Sequence, residues 1–340
     1  MTLLPDDRVF VVCEAGVTHY GDPELAHRQV DVAAESGCDA VKFQAWRTDS
    51  LVSRPVAERL AGELGFDWYE RMASRELPPD ELVRLRDRAT GRGLLFFATP
   101  HDEASLELLV DELDVPCLKV GSGEASNWRF LERIGACGKP VLIAFGLQSD
   151  DEALRAVALL REAGAPEVVA FHTVSLYPTP AASANLRRFV RLQELLDVPV
   201  GISDHTVGWH VPLAAVALGA RAIEKHLTFD RTDPRSLDNP GALEPDELGR
   251  MVAQVRELEL ALGEPPADDA ARLSSSGDWA LQAVVATRRL EAGHVLTEDD
   301  LTFKRPARGG IPASEAGTLP GRRLRNAVDA DEQIRVEDLA

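Results

Sequence analysis

Eight short apolar runs in this chain each lead into polar residues able to do chemistry. Val9–Cys13 precedes Glu14, Ala40–Val41 precedes Lys42 and Gln44, Leu94–Phe97 precedes Thr99, and Cys117–Leu118 precedes Lys119 and Ser122. Val141–Ile143 leads to Ala144 and Gly146, and Val168–Phe171 to His172. Val198–Ile202 leads to Ser203 and His205, and Ala222–Ile223 to Glu224, Lys225 and His226. Helix-like stretches separate most of these runs. Strand-then-helix repeated eight times is the pattern of an α/β fold, the (β/α)8 TIM barrel. In that fold the active site sits at the C-terminal ends of the strands. The polar residues fall where the rule wants them.

Apolar residues at three- and four-residue spacings predict helices over Pro23–Ser36, Pro78–Thr90, Asp102–Leu113, Ser149–Ala163 and Leu186–Leu196. Pro212–Leu218 is short and apolar all round, and Glu244–Leu262 is long and amphipathic. Between the second and third strands lies an excess segment, Ala45–Leu77, of the kind that forms lids or specificity elements in barrels. After Gly263 the character changes. Glu264–Trp279 is rich in Pro, Ala, Asp and Ser and reads as a linker. The expected organisation is a barrel over 1–263, a linker over 264–279 and a small β-rich module over 280–340, punctuated by Ala292-Gly293, Gly309-Gly310 and Pro320-Gly321.

A formal net charge of −19 argues against nucleic acid or anionic lipid as a partner. No run of 18 or more apolar residues offers a membrane span. Met1–Arg8 lacks the basic start and apolar stretch of a signal peptide. Cys13, Cys38, Cys117 and Cys137 form no CxxC pair, and reduced thiols in a cytoplasmic protein are the expectation. Against the acidic background, Lys42, Lys119 and Lys225 stand at three strand ends and would converge in a closed barrel. A positive basin in a negative protein suits a small anionic ligand.

Ser203-Asp204-His205-Thr206 follows the seventh strand and Glu224-Lys225-His226 the eighth. Neighbouring strand ends are close enough that His205 and His226 could share a divalent ion, Mn²⁺ or Mg²⁺, that also binds substrate oxygens, and two unrelated polar histidines fit the same residues. Lys119-Val120-Gly121-Ser122-Gly123-Glu124 combines a cation, small residues and a carboxylate, and its backbone N–H groups could approach an anion. A plain solvated turn fits the same residues. Alternation in Val41-Lys42-Phe43-Gln44 sends Lys42 and Gln44 inward if Val41 and Phe43 pack on helices. Lys42 then meets either a ligand or an ion pair with Glu14 or Glu224. Glu14 suits a charge partner, a base or a hydroxyl acceptor. Tyr177-Pro178-Thr179-Pro180 stiffens a loop, which holds Tyr177 over the pocket or forms an ordinary turn.

Taken together, these segments resemble the sialic acid synthase family, whose members condense phosphoenolpyruvate with an amino-sugar aldehyde to make nonulosonic acids. The resemblance runs through Glu14–Asp22, Lys42-Phe43-Gln44, Thr99-Pro100 with Asp102, Lys119–Glu124, Gly138-Lys139-Pro140, Tyr177-Pro178, Ser203–Thr206, Glu224-Lys225-His226, and Asp238 with Leu243-Glu244-Pro245. The C-terminal module is similar to the antifreeze-like (SAF) domain of the same proteins, through Ala292-Gly293-His294-Val295-Leu296, Lys304-Arg305-Pro306 and Gly309-Gly310-Ile311-Pro312. The resemblance implies that His205 and His226 hold the metal. It places Lys42, Thr99, Lys119, Ser122 and Ser203 around phosphoenolpyruvate, and Gln44, Glu124 and Tyr177 near the amino sugar. Ser175, Lys225 and Asp238 join the expected substrate-binding set, and Glu14, Glu124 and Lys42 the catalytic one. It further implies a domain-swapped homodimer in which Arg305 reaches the partner's barrel.

There are departures. The family's Asn-His-Asn reads Thr18-His19-Tyr20, and its Ser-Thr-Gly-Met reads Ala144-Phe145-Gly146-Leu147. An Asn becomes Ser175, a Phe becomes His101, and Asp-His becomes Asp238-Asn239. Ala45–Leu77 lacks the family's Tyr-Gln signature. These changes favour retained phosphoenolpyruvate chemistry with an altered acceptor, and are also compatible with a catalytically reduced carbohydrate-binding homologue.

Overall fold

A computed structural model describes residues 2–264, 266 and 269–340. Contacts divide them into two compact units, one ending at Gly263 and the other beginning at Glu264.

The first unit carries eight parallel strands, β1 Phe10–Glu14, β2 Ala40–Ala45, β3 Leu95–Pro100, β4 Leu118–Val120, β5 Val141–Phe145, β6 Val168–His172, β7 Val200–Asp204 and β8 Ala222–His226. Ladder pairing runs β3-β2-β1-β8-β7-β6-β5-β4, and β3 packs beside β4 across the remaining seam. This is the TIM-type barrel. Its strands extend one to four residues past the apolar runs. The polar residues that end them are therefore part of the sheet, with orientations fixed by the ladder. Pairing of Glu14 with both Lys42 and His226 brings the first, second and eighth strand ends into one row.

Helices cover the barrel at Pro23–Glu35, Pro79–Gly91, Asp150–Ala163, Leu186–Leu195, His210–Ala217 and Pro245–Leu262. The predicted helix over Asp102–Leu113 forms as Glu103–Glu107 continuing into a wider turn over Leu108–Glu112. Among the helices that cover the barrel, Trp128–Ala136 was not expected from the spacing. It buries Phe130, Leu131 and Ile134, each contributing roughly 1.5–3 kcal/mol. Gly135 lets it approach Asp150–Ala163, since a Cβ there would lie 2.7 Å from that of Ala163.

Ala45–Leu77 is more ordered than a loop. Helices Thr48–Leu51, Arg54–Leu64 and Trp68–Ala73 enclose a small core of Val52, Ala57 and Tyr69. The segment is fastened by backbone N–H bonds from Arg47 to Asp102 (2.6 Å) and from Thr48 to Glu76 (2.8 Å).

In the second unit, β9 Ala283–Ala286 pairs antiparallel with β10 Leu301–Lys304 over a core that includes Val284, Leu296, Ile311 and Leu324. The expected linker Glu264–Trp279 is corrected in part, because Asp269–Ala280 is a helix. At about 1.5 Å per residue it spans roughly 18 Å. Ala and Leu within it favour helix, and its serines tolerate it. Pro265, Ala267 and Asp268 lie outside the described residues. Among the described residues no helix is long and apolar enough to cross a membrane, and all four cysteines are free.

Candidate active site

The C-terminal strand ends and the loops after them enclose a cavity of about 590 Å³. Thirteen of the residues expected in a site line it: Glu14, Lys42, Gln44, Thr99, Lys119, Ser122, Glu124, Ser175, Tyr177, Ser203, His205, His226 and Asp238. Inward direction follows from alternation along each strand. Val41 and Phe43 are fully buried in the barrel wall, which turns Lys42 and Gln44 into the cavity.

The same alternation removes Lys225. Its neighbours Glu224 and His226 face the cavity, so Lys225 points the other way and is fully buried. Its ammonium donates to Asp204 and to the Thr206 carbonyl, both at 2.6 Å. The expected three-lysine basin is therefore a two-lysine basin, and Lys225 is a structural ion pair. Arg305 belongs to the second unit, just after β10.

A buried charge network forms the floor. Lys42 lies 2.8 Å from Glu14, 3.2 Å from the Thr99 hydroxyl and 3.8 Å from Glu224. Lys119 lies 4.0 Å from Glu224, whose other oxygen accepts from Ser203 at 2.9 Å. Both readings of Lys42 hold together, since it is ion-paired and lines the cavity. Burial works against the Lys42 charge, but Glu14 and Glu224 outweigh it and raise its pKa. Burial dominates at Lys119 and brings it down to about 8. At Glu224 burial opposes the charged form, yet Lys119 and Lys42 hold the carboxyl down at about 2. Burial carries Glu14 up to about 7 against the pull of Lys42. Lys119 makes only one hydrogen bond in the described residues, to its neighbour's carbonyl at 3.0 Å, so its remaining N–H groups are free for an anion.

His205 and His226 stand with ring centroids 5.3 Å apart, and the Tyr177 ring packs against His205 at 4.1 Å, tilted by 38°. His205 Nδ1 bonds the Val174 carbonyl at 2.9 Å, which fixes that nitrogen as donor and leaves Nε2 with a lone pair. Burial, then His226, lowers His205 to about 4. Burial also lowers His226, whose Nδ1 is buried without a hydrogen-bond partner. Neutral imidazoles with uncommitted nitrogens are the protonation state that ligates metal. Gly16 adopts φ +55° beside His226, and a Cβ there would lie 3.0 Å from Nδ1. Among the described residues no group of three His, Cys, Asp or Glu side chains could hold an ion, so two histidines would leave most positions to substrate oxygens or water.

The turn after β4 opens onto the cavity rather than onto solvent. The Ser122 hydroxyl accepts from the Gly146 N–H at 2.8 Å, and Gln148 donates to the Ser122 carbonyl at 2.9 Å. Ala144 lines the wall without a hydroxyl.

Four departures from the family pattern prove to be bonded residues. Asn239 donates to the Tyr20 hydroxyl at 2.7 Å, so two changed positions pair with each other. Thr18 is buried away from the cavity, donating to the Leu227 carbonyl at 2.8 Å. His101 Nδ1 lies 2.8 Å from Glu124 and its Nε2 lies 3.3 Å from Gln44 Oε1, while Gln44 donates to Glu14 at 2.9 Å. A Phe at 101 could make none of these bonds. His101→Phe is expected to raise the Glu124 pKa, because burial pushes it up and His101 provides the largest opposing pull. Carboxyl-carbon NMR titration of wild type and variant measures the change.

Sequence reasoning marked His101 only as a departure and missed Arg71, Arg75, Trp68 and Leu237 as lining residues. For the arginines the signal was available, since they recur at a four-residue spacing within the excess segment.

Comparison with known proteins agrees with this geometry. A family model described as the NeuB family matches residues 29–266. The chain belongs to the NeuB family. A second model, the SAF domain, matches residues 282–340. The N-acetylneuraminate-9-phosphate synthase of Mus musculus is 33% identical, over 97% of this chain and 92% of its own. The N,N'-diacetyllegionaminic acid synthase of Campylobacter jejuni is 31% identical, over 96% of this chain and 99% of its own. Among solved structures, the N-acetylneuraminic acid (sialic acid) synthetase of Leptospira borgpetersenii in complex with citrate is 33% identical. It superposes with a TM-score of 0.69, over 79% of this chain and 91% of its own.

Proposed function

We propose that this NeuB-family chain is an enzyme that condenses phosphoenolpyruvate with an amino-sugar aldehyde, giving a nonulosonic acid and inorganic phosphate. The observation that carries this reading is one cavity with two buried lysines on its floor and two neutral, adjacent histidines on its wall. The names of the relatives support the same product class. Lys42 and Lys119 would hold the phosphate and carboxylate of phosphoenolpyruvate and balance their charge through the reaction. His205 and His226 would hold a divalent ion, Mn²⁺ or Mg²⁺, which when bound polarises the aldehyde carbonyl. The phosphoenolpyruvate methylene carbon attacks the aldehyde carbon, water adds at the carbon bearing the phosphate, and phosphate leaves with its bridging oxygen. Glu14, titrating near neutrality, suits the transfer of a proton to or from that water. Glu124, held by His101, suits a sugar hydroxyl.

The test is phosphate release from phosphoenolpyruvate with Mn²⁺ and a panel of amino sugars. Release that depends on both an amino sugar and phosphoenolpyruvate is expected, with a nonulosonic acid detected by mass. No release with any of them sinks the reading.

The second unit enters the proposal through Arg305, contributed to the barrel of a partner subunit in a closed dimer. Mixing inactive His226→Ala with inactive Arg305→Ala protein, under conditions of subunit exchange, is expected to restore part of the activity. A mixed dimer pairs one barrel with intact histidines and one wild-type Arg305. Mixed dimers without activity, from well-folded mutants, refute the trans arrangement.

A further inference from the structure

His101 lines the cavity, stands where the family pattern has Phe, and has no task of its own in the reaction above. It directly follows β3, and its backbone N–H donates to the Ala45 carbonyl of β2 at 2.9 Å, so its place is set by the sheet. The Trp46 ring stands at 71° to it, with centroids 6.3 Å apart. The side chains of His101 and Glu124 are each 16% exposed, which leaves both within reach of a bound molecule.

The His101 ring joins two side chains that the family resemblance gives to the acceptor sugar. Its Nδ1 lies 2.8 Å from Glu124 Oε1, and its Nε2 lies 3.3 Å from Gln44 Oε1. The Gln44 amide nitrogen is committed to Glu14, 2.9 Å away, which turns its oxygen toward the ring. Both ring nitrogens therefore face acceptors, the arrangement of a doubly protonated imidazole. Burial pushes the Glu124 carboxyl up, yet the bond and charge of His101 hold it below its ordinary value. One Glu124 oxygen is thereby taken. The other, Oε2, is seated over Gly121, where a Cβ would lie 2.8 Å from it. A carboxylate pinned at one oxygen by a ring that is itself pinned accepts from one direction only. With Phe at 101, Glu124 and Gln44 would turn independently.

We propose that His101 is a positioning residue that sets acceptor specificity: it holds Glu124 and Gln44 as one unit, so that the second Glu124 oxygen recognises a single hydroxyl of the acceptor sugar. This deepens the condensation reading and rests on it for the identity of the ligand. A site built around one hydroxyl rejects an analogue that lacks it, because the buried carboxylate oxygen is then left without a donor. Once His101 is gone, the carboxylate can turn to another donor or to water, and that selectivity is lost.

The test uses the full-length protein, N-acetylmannosamine and a set of its analogues that each lack one hydroxyl. Calorimetry without phosphoenolpyruvate is expected to show one analogue bound roughly tenfold or more weakly than the parent sugar, the worth of a hydrogen bond to a charged group. His101→Phe should weaken the parent sugar by a similar factor and bind that analogue about as wild type does, so the preference vanishes. In steady-state kinetics the same change should raise the KM for the acceptor and leave the KM for phosphoenolpyruvate within about twofold. His101→Asn puts an amide N–H near the Nδ1 position and should recover part of the preference through Glu124. His101→Gln reaches the Nε2 position instead and should recover less. A wild-type protein that binds no sugar of the set, or all of them alike, overturns the assignment. So does an undiminished preference in His101→Phe, or, if that variant does not fold, equal preference in wild type and the Asn and Gln variants. A His101→Phe loss that strikes the sugar and phosphoenolpyruvate alike, with no recovery in His101→Asn, marks a purely structural residue and also overturns it. Because binding is read without turnover, a His101-dependent preference with no condensation would refute the reaction and leave the role of His101 standing. Condensation without such a preference would do the reverse.

Discussion

His205→Ala and His226→Ala are each expected to lower turnover by more than about 100-fold, beyond the loss usual for a group that only supports a ligand. Both side chains line the cavity, His226 from the end of β8 and His205 from the residue after β7, so the ladders of β7 and β8 survive truncation and the fold should be retained. The orphaned Nδ1 of His226 has no internal hydrogen bond to lose. Its removal would therefore delete the proposed ligand without exposing a partner. Chelation should abolish wild-type activity and added Mn²⁺ should restore it, while neither treatment rescues the variants. Full activity after chelation would refute the metal proposal. Circular dichroism melting separates loss of chemistry from loss of fold.

Lys119→Ala is expected to weaken phosphoenolpyruvate binding roughly 10- to 150-fold, the equivalent of one charge-assisted hydrogen bond of about 1.5–3 kcal/mol. The same change removes one of two cations that hold Glu224 ionised, so some stability is lost as well. Lys119→Met refills the volume and keeps the test interpretable if the Ala variant unfolds. The sign of the pH dependence follows from burial. Lys119 is charged below about 8 and loses its proton above it, and only the charged form attracts an anion. Wild-type affinity should therefore fall as pH rises through about 8, and the Lys119 variants should lack that fall. Affinity should also drop with ionic strength. Calorimetry at several pH values reads both, and an unchanged affinity in the variants removes Lys119 from the binding site.

The strand ends were legible because period-two alternation and eightfold repetition are local properties of the chain. An apolar run that stops at Glu14, Lys119 or His226 marks both a strand and the end of the barrel where chemistry collects. Alternation also contained the answer for Lys225. Glu224 and His226 cannot both face inward without turning Lys225 outward, so charge at a strand end does not by itself place a lysine in the basin. Ala45–Leu77 was recognised as an excess segment, but not its three helices, since their small core depends on Tyr69, Val52 and Ala57 meeting across the segment. The helix Trp128–Ala136 was missed because it is short and much of its stability comes from packing on its neighbour.

Composition and patterning by themselves determined the barrel, its working face and the charge contrast between an acidic surface and basic strand ends. They did so because burial and backbone geometry act residue by residue along each strand. Only the tertiary structure decided what each cation is paired with: Lys42 and Lys119 meet at Glu224 beside the cavity, and a 2.6 Å contact with Asp204 holds Lys225 in the wall. It also turned three apparent departures into bonded partners, Tyr20 to Asn239 and His101 to Glu124. Those pairs join residues 23 to 219 positions apart in the chain. Their energies exist only once the barrel has closed and placed them within hydrogen-bonding distance.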